Sequence, residues 1–116
     1  MAMSDKGATG LFGNNTGISL PPNDSQLAHI FGDRPGHLPD TPRNRQRLVE
    51  LANDEDNYAG RDKYGNAWHG KIESDGSQTW TVSRGKIIQD GGSNATPRPW
   101  DEETGFNNNP LKRRKK

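Results

Sequence analysis

An α+β fold, with N-terminal helices packed on a small twisted antiparallel sheet, is what the apolar pattern of this chain predicts. Three observations lead there. Up to about residue 53 the apolar residues recur at helical spacing, whereas from Asn57 onward they alternate with polar ones. Turn signals at residues 62–65, at Asp75 and Gly76, and at Arg84 and Gly85 then cut the second region into four short strands. Strands joined in order by tight turns make a meander, and the helices before them are free to cover one of its faces.

The first helix is expected from Ser25, with Asp24 or Ser25 as its cap and Leu27, Ile30 and Phe31 at helical spacing before Gly32 stops it. His29 falls beside that stripe. Residues 32–40 contain Pro35, Gly36 and Pro39 and read as a loop. Thr41 and Pro42 open a second helix to about Asn53, because threonine caps and proline suits a first position where no amide donor is needed. Leu48, Val49, Leu51 and Ala52 give it a buried side, while Arg43, Asn44, Arg45 and Arg47 crowd its first two turns. Arginines in a first turn oppose the helix dipole by about 0.3–1 kcal/mol each. That cost fits a second use, since a helix amino end beside guanidinium groups attracts anions.

The four strands are expected around Tyr58 and at residues 66–72, 78–83 and 86–89. Trp68 and Ile72 alternate with Ala67, His69 and Lys71, and Trp80 and Val82 alternate with Thr79, Thr81 and Ser83. This predicts an apolar face packed on the helix and a polar face that turns His69, Lys71, Thr79 and Thr81 to solvent or a cleft. Residues 91–94 read as a Gly-rich turn.

With 116 residues and 27% hydrophobic content, the chain supports one small core. Residues 1–24, rich in Gly, Asn, Ser and Pro, read as a flexible linker or arm; residues 25–100 as the folded domain; and residues 101–116 as a flexible basic tail. The absence of cysteine excludes disulfides, thiolate zinc sites and cysteine nucleophiles. No apolar run approaches the roughly 20 residues of a membrane span, so no stable membrane insertion is expected. The first residues lack the apolar core of a signal peptide, so export would have to be carried by something else. Five of the sixteen basic residues are Lys112, Arg113, Arg114, Lys115 and Lys116, which leaves eleven basic against fifteen acidic residues, a net of -4, in the rest. Such a body is not a broad nucleic-acid clamp, and phosphate recognition has to be local, at Arg34, Arg43, Arg45 and Arg47. The terminal basic run is either a solvated tail or an electrostatic attractor for RNA or an acidic partner.

Residues 29–45 gather two of the three histidines with a hydroxyl, acids and arginines. Imidazole exchanges protons near neutral pH, and arginine grips phosphate. Two histidines beside arginines suffice for metal-free phosphodiester cleavage: one takes the proton of a ribose hydroxyl, the other protonates the leaving oxygen, and a cation holds the charge on phosphorus. His29 and His37 are the candidate acid and base, with Thr41 and Arg84 as further catalytic candidates. Arg43, Arg45, Arg47, His69, Lys71, Thr79, Thr81 and Asn94 are candidates for substrate binding.

Each has a plainer reading: His29 as a packed helix residue, Thr41 as a cap, His69 as an exposed strand residue, Arg84 as a solvated turn residue, Asn94 as a turn former. For His37, which follows a glycine in a loop, packing is a poor explanation. The spacing of His29 and His37, with Asp33 and Asp40 nearby, fits no common zinc pattern. No phosphate loop or dinucleotide fingerprint is present, so neither metal nor organic cofactor is expected.

His29, Ile30 and Phe31; Gly36 and His37; Asp40, Thr41 and Pro42; Tyr64 and Gly65; Asp75, Gly76, Ser77, Gln78 and Trp80; Arg84, Gly85, Lys86 and Ile87; and Gly92, Asn94 and Pro97 occur in one order over residues 27–98. In that order they resemble the C-terminal toxin domains of contact-dependent growth inhibition and related polymorphic toxin systems. The helix-plus-meander layout resembles ribonuclease toxins of the barnase/EndoU/colicin/RelE-like group. The resemblance implies secretion within a larger exoprotein, delivery to the target-cell cytoplasm, cleavage of tRNA or another RNA there, and neutralisation by a cognate immunity protein. Two other classes are open: a toxin acting on a nucleotide cofactor, and a non-enzymatic module that binds protein through its aromatic meander.

Overall fold

The computed structural model describes residues 17–106. Within them the order is helix α1 (Asp24–Ile30), helix α2 (Pro42–Ala52), a 3-10 turn (Glu55–Asn57), then strands β1 (Tyr58–Arg61), β2 (Ala67–Ile72), β3 (Gln78–Arg84) and β4 (Ile87–Asn94). The strands form one antiparallel sheet in sequence order, so the fold is α+β and the sheet is a meander. Residues 1–16 of the expected arm and the basic run at residues 112–116 lie outside the described residues.

Both helix starts are capped by side-chain oxygens. Asn23, rather than Asp24 or Ser25, caps α1, accepting the Gln26 amide at 2.8 Å. Thr41 caps α2 by accepting from the Asn44 amide at 3.0 Å, with Pro42 just inside. At the other end of α2, Asn53 receives the Ile18 amide at 3.0 Å and returns a bond to the Ile18 carbonyl at 2.8 Å, strapping the entering chain to the helix.

The sheet is covered on both faces, and the helices lie on the face that was expected to be solvated. Pairing sets His69 opposite Thr81 and Lys71 opposite Thr79, with Thr81 opposite Gly91. On this side Leu27, Ile30, Phe31, Leu48 and Ala52 of the helical layer pack with Ile88. The correction has a steric cause: threonine and glycine leave little bulk above the strands, so α2 settles close, and a Cβ at Gly91 would lie 2.9 Å from the Leu48 side chain. His69, Thr79 and Thr81 are therefore buried, and only Lys71 of that predicted set is exposed.

On the opposite face Trp68 stacks on Trp80 with ring centroids 5.6 Å apart and 25° between planes, and Val82 and Phe106 complete the cluster. Its cover is the segment after β4, not a helix. Trp100 and Phe106 both meet Trp68 edge-on. Phe106, assigned by sequence to the tail, is 8% exposed. Gly105 (φ +64°) makes this cover possible, because any side chain there would run into the Trp68 indole.

β4 is longer than expected. Residues 91–94, anticipated as a turn, continue the ladder to Asn94 opposite Gln78. A bulge between Val82 and Ser83 sets Asp90 against Val82 but Ile88 against Ser83, with Gln89 as the extra residue. Ile88 and Asp90, two apart, thus end on opposite faces of the sheet. No helix among the described residues is long and apolar enough to cross a membrane.

Candidate active site

The histidines meet at the outer edge of β4. The loop at residues 32–40 is folded back by a bond from the Gly32 amide to the Leu38 carbonyl, 2.9 Å, and Gly36 turns it with φ +84°. It then docks on the strand, where the Ser93 amide donates to the Gly36 carbonyl at 3.0 Å. Gly92 is required beneath it, since a Cβ there would overlap the Gly36 carbonyl. Next in the loop comes His37, packed edge-on against Trp80 at 6.1 Å between centroids.

His37 Nδ1 lies 2.8 Å from the Ile30 carbonyl, which can only accept, so Nδ1 carries a proton and donates it. In the neutral ring the lone pair is then on Nε2. The same Nδ1 stands 3.8 Å from Asp90 Oδ1. From the last turn of α1, His29 brings Nε2 to 3.5 Å from Asp90 Oδ2. One carboxylate therefore faces both imidazoles. The rings differ in access, with the His37 side chain 18% and the His29 side chain 68% exposed.

Burial pushes the Asp90 carboxyl above the usual carboxylate range; the Gly91 amide hydrogen bond and the charges of His29, His37 and Arg34 pull the other way without cancelling it. Groups this close exchange protons as a set. Asp90 was not among the residues expected from sequence. The fourth strand was expected to end at Gln89, and period-two alternation would have placed residue 90 with Ile88 in the helix core.

The remaining candidates are dispersed. Thr41 is occupied as a cap. Arg43 is exposed on the first turn of α2. Arg45 forks onto Asp40 at 2.6 and 2.8 Å. Arg84 bonds Asn66 Oδ1 at 2.8 Å and the Tyr64 carbonyl at 3.4 Å, which joins two hairpin ends. Asn94 donates to Gln78 at 2.9 Å, and Gln78 holds the Arg98 backbone through both its amide atoms, so Asn94 fixes the chain beside the His37 loop.

Arg47, Lys71 and Thr79 do come together, but on the helix face. They line a groove with Glu50, Leu51, Asp54, Asn57 and Glu73. There Thr79 donates to Glu73 at 2.7 Å, and Arg47 reaches Thr79 Oγ1 at 3.3 Å. Since residue 79 points away from the Trp80 side, this groove and the histidine pair are on opposite faces, and the single cleft expected from sequence is two separate places. His69 is 2% exposed with neither ring nitrogen hydrogen-bonded to protein, and burial holds its pKa below the ordinary histidine value despite Glu55 and Asp54.

Among the described residues no cluster of three or more His, Asp or Glu side chains has the geometry to hold a metal ion. No family model, curated protein or solved structure matches the chain.

Proposed function

We propose that this chain is a metal-independent endoribonuclease domain of a bacterial toxin, acting on tRNA or another RNA through His37 and His29. The observation that carries the reading is the pair of imidazoles set on one half-buried carboxylate, at 3.8 and 3.5 Å. The order of motifs described above supports the toxin context, and with it delivery into a target cell and a cognate immunity protein.

In this mechanism His37 is the base, because the Ile30 carbonyl fixes the tautomer that leaves Nε2 free to accept. Nε2 takes the proton of a ribose 2'-hydroxyl, and that oxygen attacks the adjacent phosphorus. His29, exposed and with Nε2 3.5 Å from Asp90 Oδ2, gives its proton to the departing 5'-oxygen. The P–O5' bond breaks, and the products are a 2',3'-cyclic phosphate and a 5'-hydroxyl. Solvent then takes the proton from His37 Nε2 and returns one to His29, which restores the starting state, while Asp90 holds the two rings in place. Of the predicted basic residues, Arg43 is exposed near the loop and is suited to meet substrate phosphate; Arg45, Arg47 and Arg84 are engaged elsewhere.

The test is incubation of the purified chain with total bacterial RNA in EDTA, with a nicotinamide dinucleotide in a parallel tube. Cleavage that leaves cyclic phosphate and 5'-hydroxyl ends is expected. Loss of activity in EDTA, or 5'-phosphate ends, would overturn the mechanism; consumption of the dinucleotide alone would make the chain a toxin acting on a cofactor; and no reaction with either would leave the interaction module.

A further inference from the structure

We infer that Arg34 is the positioning residue of the histidine pair, one residue that holds the backbones carrying both rings beside Asp90 through three hydrogen bonds. Its side chain donates from Nη1 to the Ala28 carbonyl at 3.1 Å and from Nη2 to the His29 carbonyl at 2.5 Å. Its own carbonyl accepts the His37 amide at 3.0 Å. The backbones of both histidines therefore end on Arg34.

Helix α1 is only seven residues long and its cap residue, Phe31, is already extended. Carbonyls in the last turn of a helix have no partner within it, and a helix this short frays unless something else holds it. The guanidinium fork fills that place, and a cation at a helix carboxyl end is favoured besides. His29 projects from this last turn, so its approach to Asp90 depends on the turn staying closed. Gly32 leaves room for the fork, since a Cβ there would lie 2.9 Å from Arg34 Nη1.

Arg34 also has an electrostatic part. The charged groups facing Asp90 are His29 from α1 and His37 and Arg34 from the loop, and Arg34 lowers the cost of an ionised carboxylate there. Each Nη group spends one N–H on a carbonyl, so the guanidinium is held against the end of α1 and acts through the histidines. The consequence for RNA cleavage rests on the reading proposed above; the consequence for the imidazoles does not.

The test is histidine titration by NMR on the full chain, with the RNA cleavage rate measured beside it, in Arg34→Lys, Arg34→Gln and Gly32→Ala. Arg34→Gln removes both the charge and the fork, so the titration midpoints of His29 and His37 should both move, and Arg34→Lys, which keeps the charge but loses the fork, should still move that of His29. Arg34→Lys and Gly32→Ala displace the fork without removing charge, so each should lower kcat about tenfold or more with KM little changed, the size expected when a reacting group is misplaced. Midpoints moved in Arg34→Gln, with no RNA cleavage even by wild type, would support the positioning role and refute the ribonuclease. Unmoved midpoints in Arg34→Gln, or unchanged kcat in both fork variants of an active enzyme, would overturn the inference.

Discussion

His29 and His37 share a side chain but not an environment, and Asp90 makes them a pair. Because burial raises the Asp90 carboxyl, the folded chain holds that proton more tightly than the unfolded chain does. The resulting stabilisation is fully present below the ordinary carboxylate pKa and is lost as pH rises through the raised value. Above the raised value the ionised group is a burden that Asp90→Asn relieves. We expect this variant to melt no lower than wild type at pH 7 while cleaving RNA roughly 100-fold more slowly, the scale of general acid-base catalysis. A variant that melts lower and keeps its rate would assign Asp90 a structural role alone. At this scale the grouping of His29 and His37 on one segment among arginines was legible, and the structure sets both against Asp90. Asp90 was hidden by one inserted residue, because a bulge leaves no mark in an alternating pattern.

At the scale of elements, the helix starts and hairpin turns were local signals and were readable: Thr41 and Pro42, Asp75 and Gly76, Arg84 and Gly85 each act within a few residues. Which face of the sheet the helices choose is not local. Polarity suggested the tryptophan face, but volume decided for the threonine face, where Leu48 needs space above Gly91. Thr81 is fully buried with an unpartnered hydroxyl, so Thr81→Val should stabilise the fold by about 1 kcal/mol. Chemical denaturation reads this directly; a change near zero would mean that the hydroxyl meets solvent. Gly92→Ala sets a methyl group against the Gly36 backbone, which a rotamer change cannot relieve. A loss of about 1–3 kcal/mol is expected, together with slower cleavage as the His37 loop lifts. Unaltered stability and rate would show that the loop does not rest on β4 in this way.

For the whole molecule, a modest apolar content is divided between two small cores on the two sides of one sheet. The second core is closed by residues 100–106, whose partners lie more than thirty residues earlier in the chain at Trp68. Such long-range closure gives no periodic signal, and this is why the segment read as tail. Phe106→Ala should cost about 3 kcal/mol, the usual loss for a buried aromatic, and shift tryptophan fluorescence to the red as Trp68 and Trp80 become wetter. An unchanged melting curve and spectrum would place Phe106 outside the core.

The pairing of His29 with His37 is tested most directly by a double-mutant cycle on RNA cleavage, using His29→Ala, His37→Ala and the double variant, each first verified as folded. Two groups that serve one step through a shared carboxylate should each cost roughly 100-fold alone, and their joint removal little more than the worse single loss. Losses that multiply, or a folded His37→Ala chain that cleaves at the wild-type rate, would contradict the account.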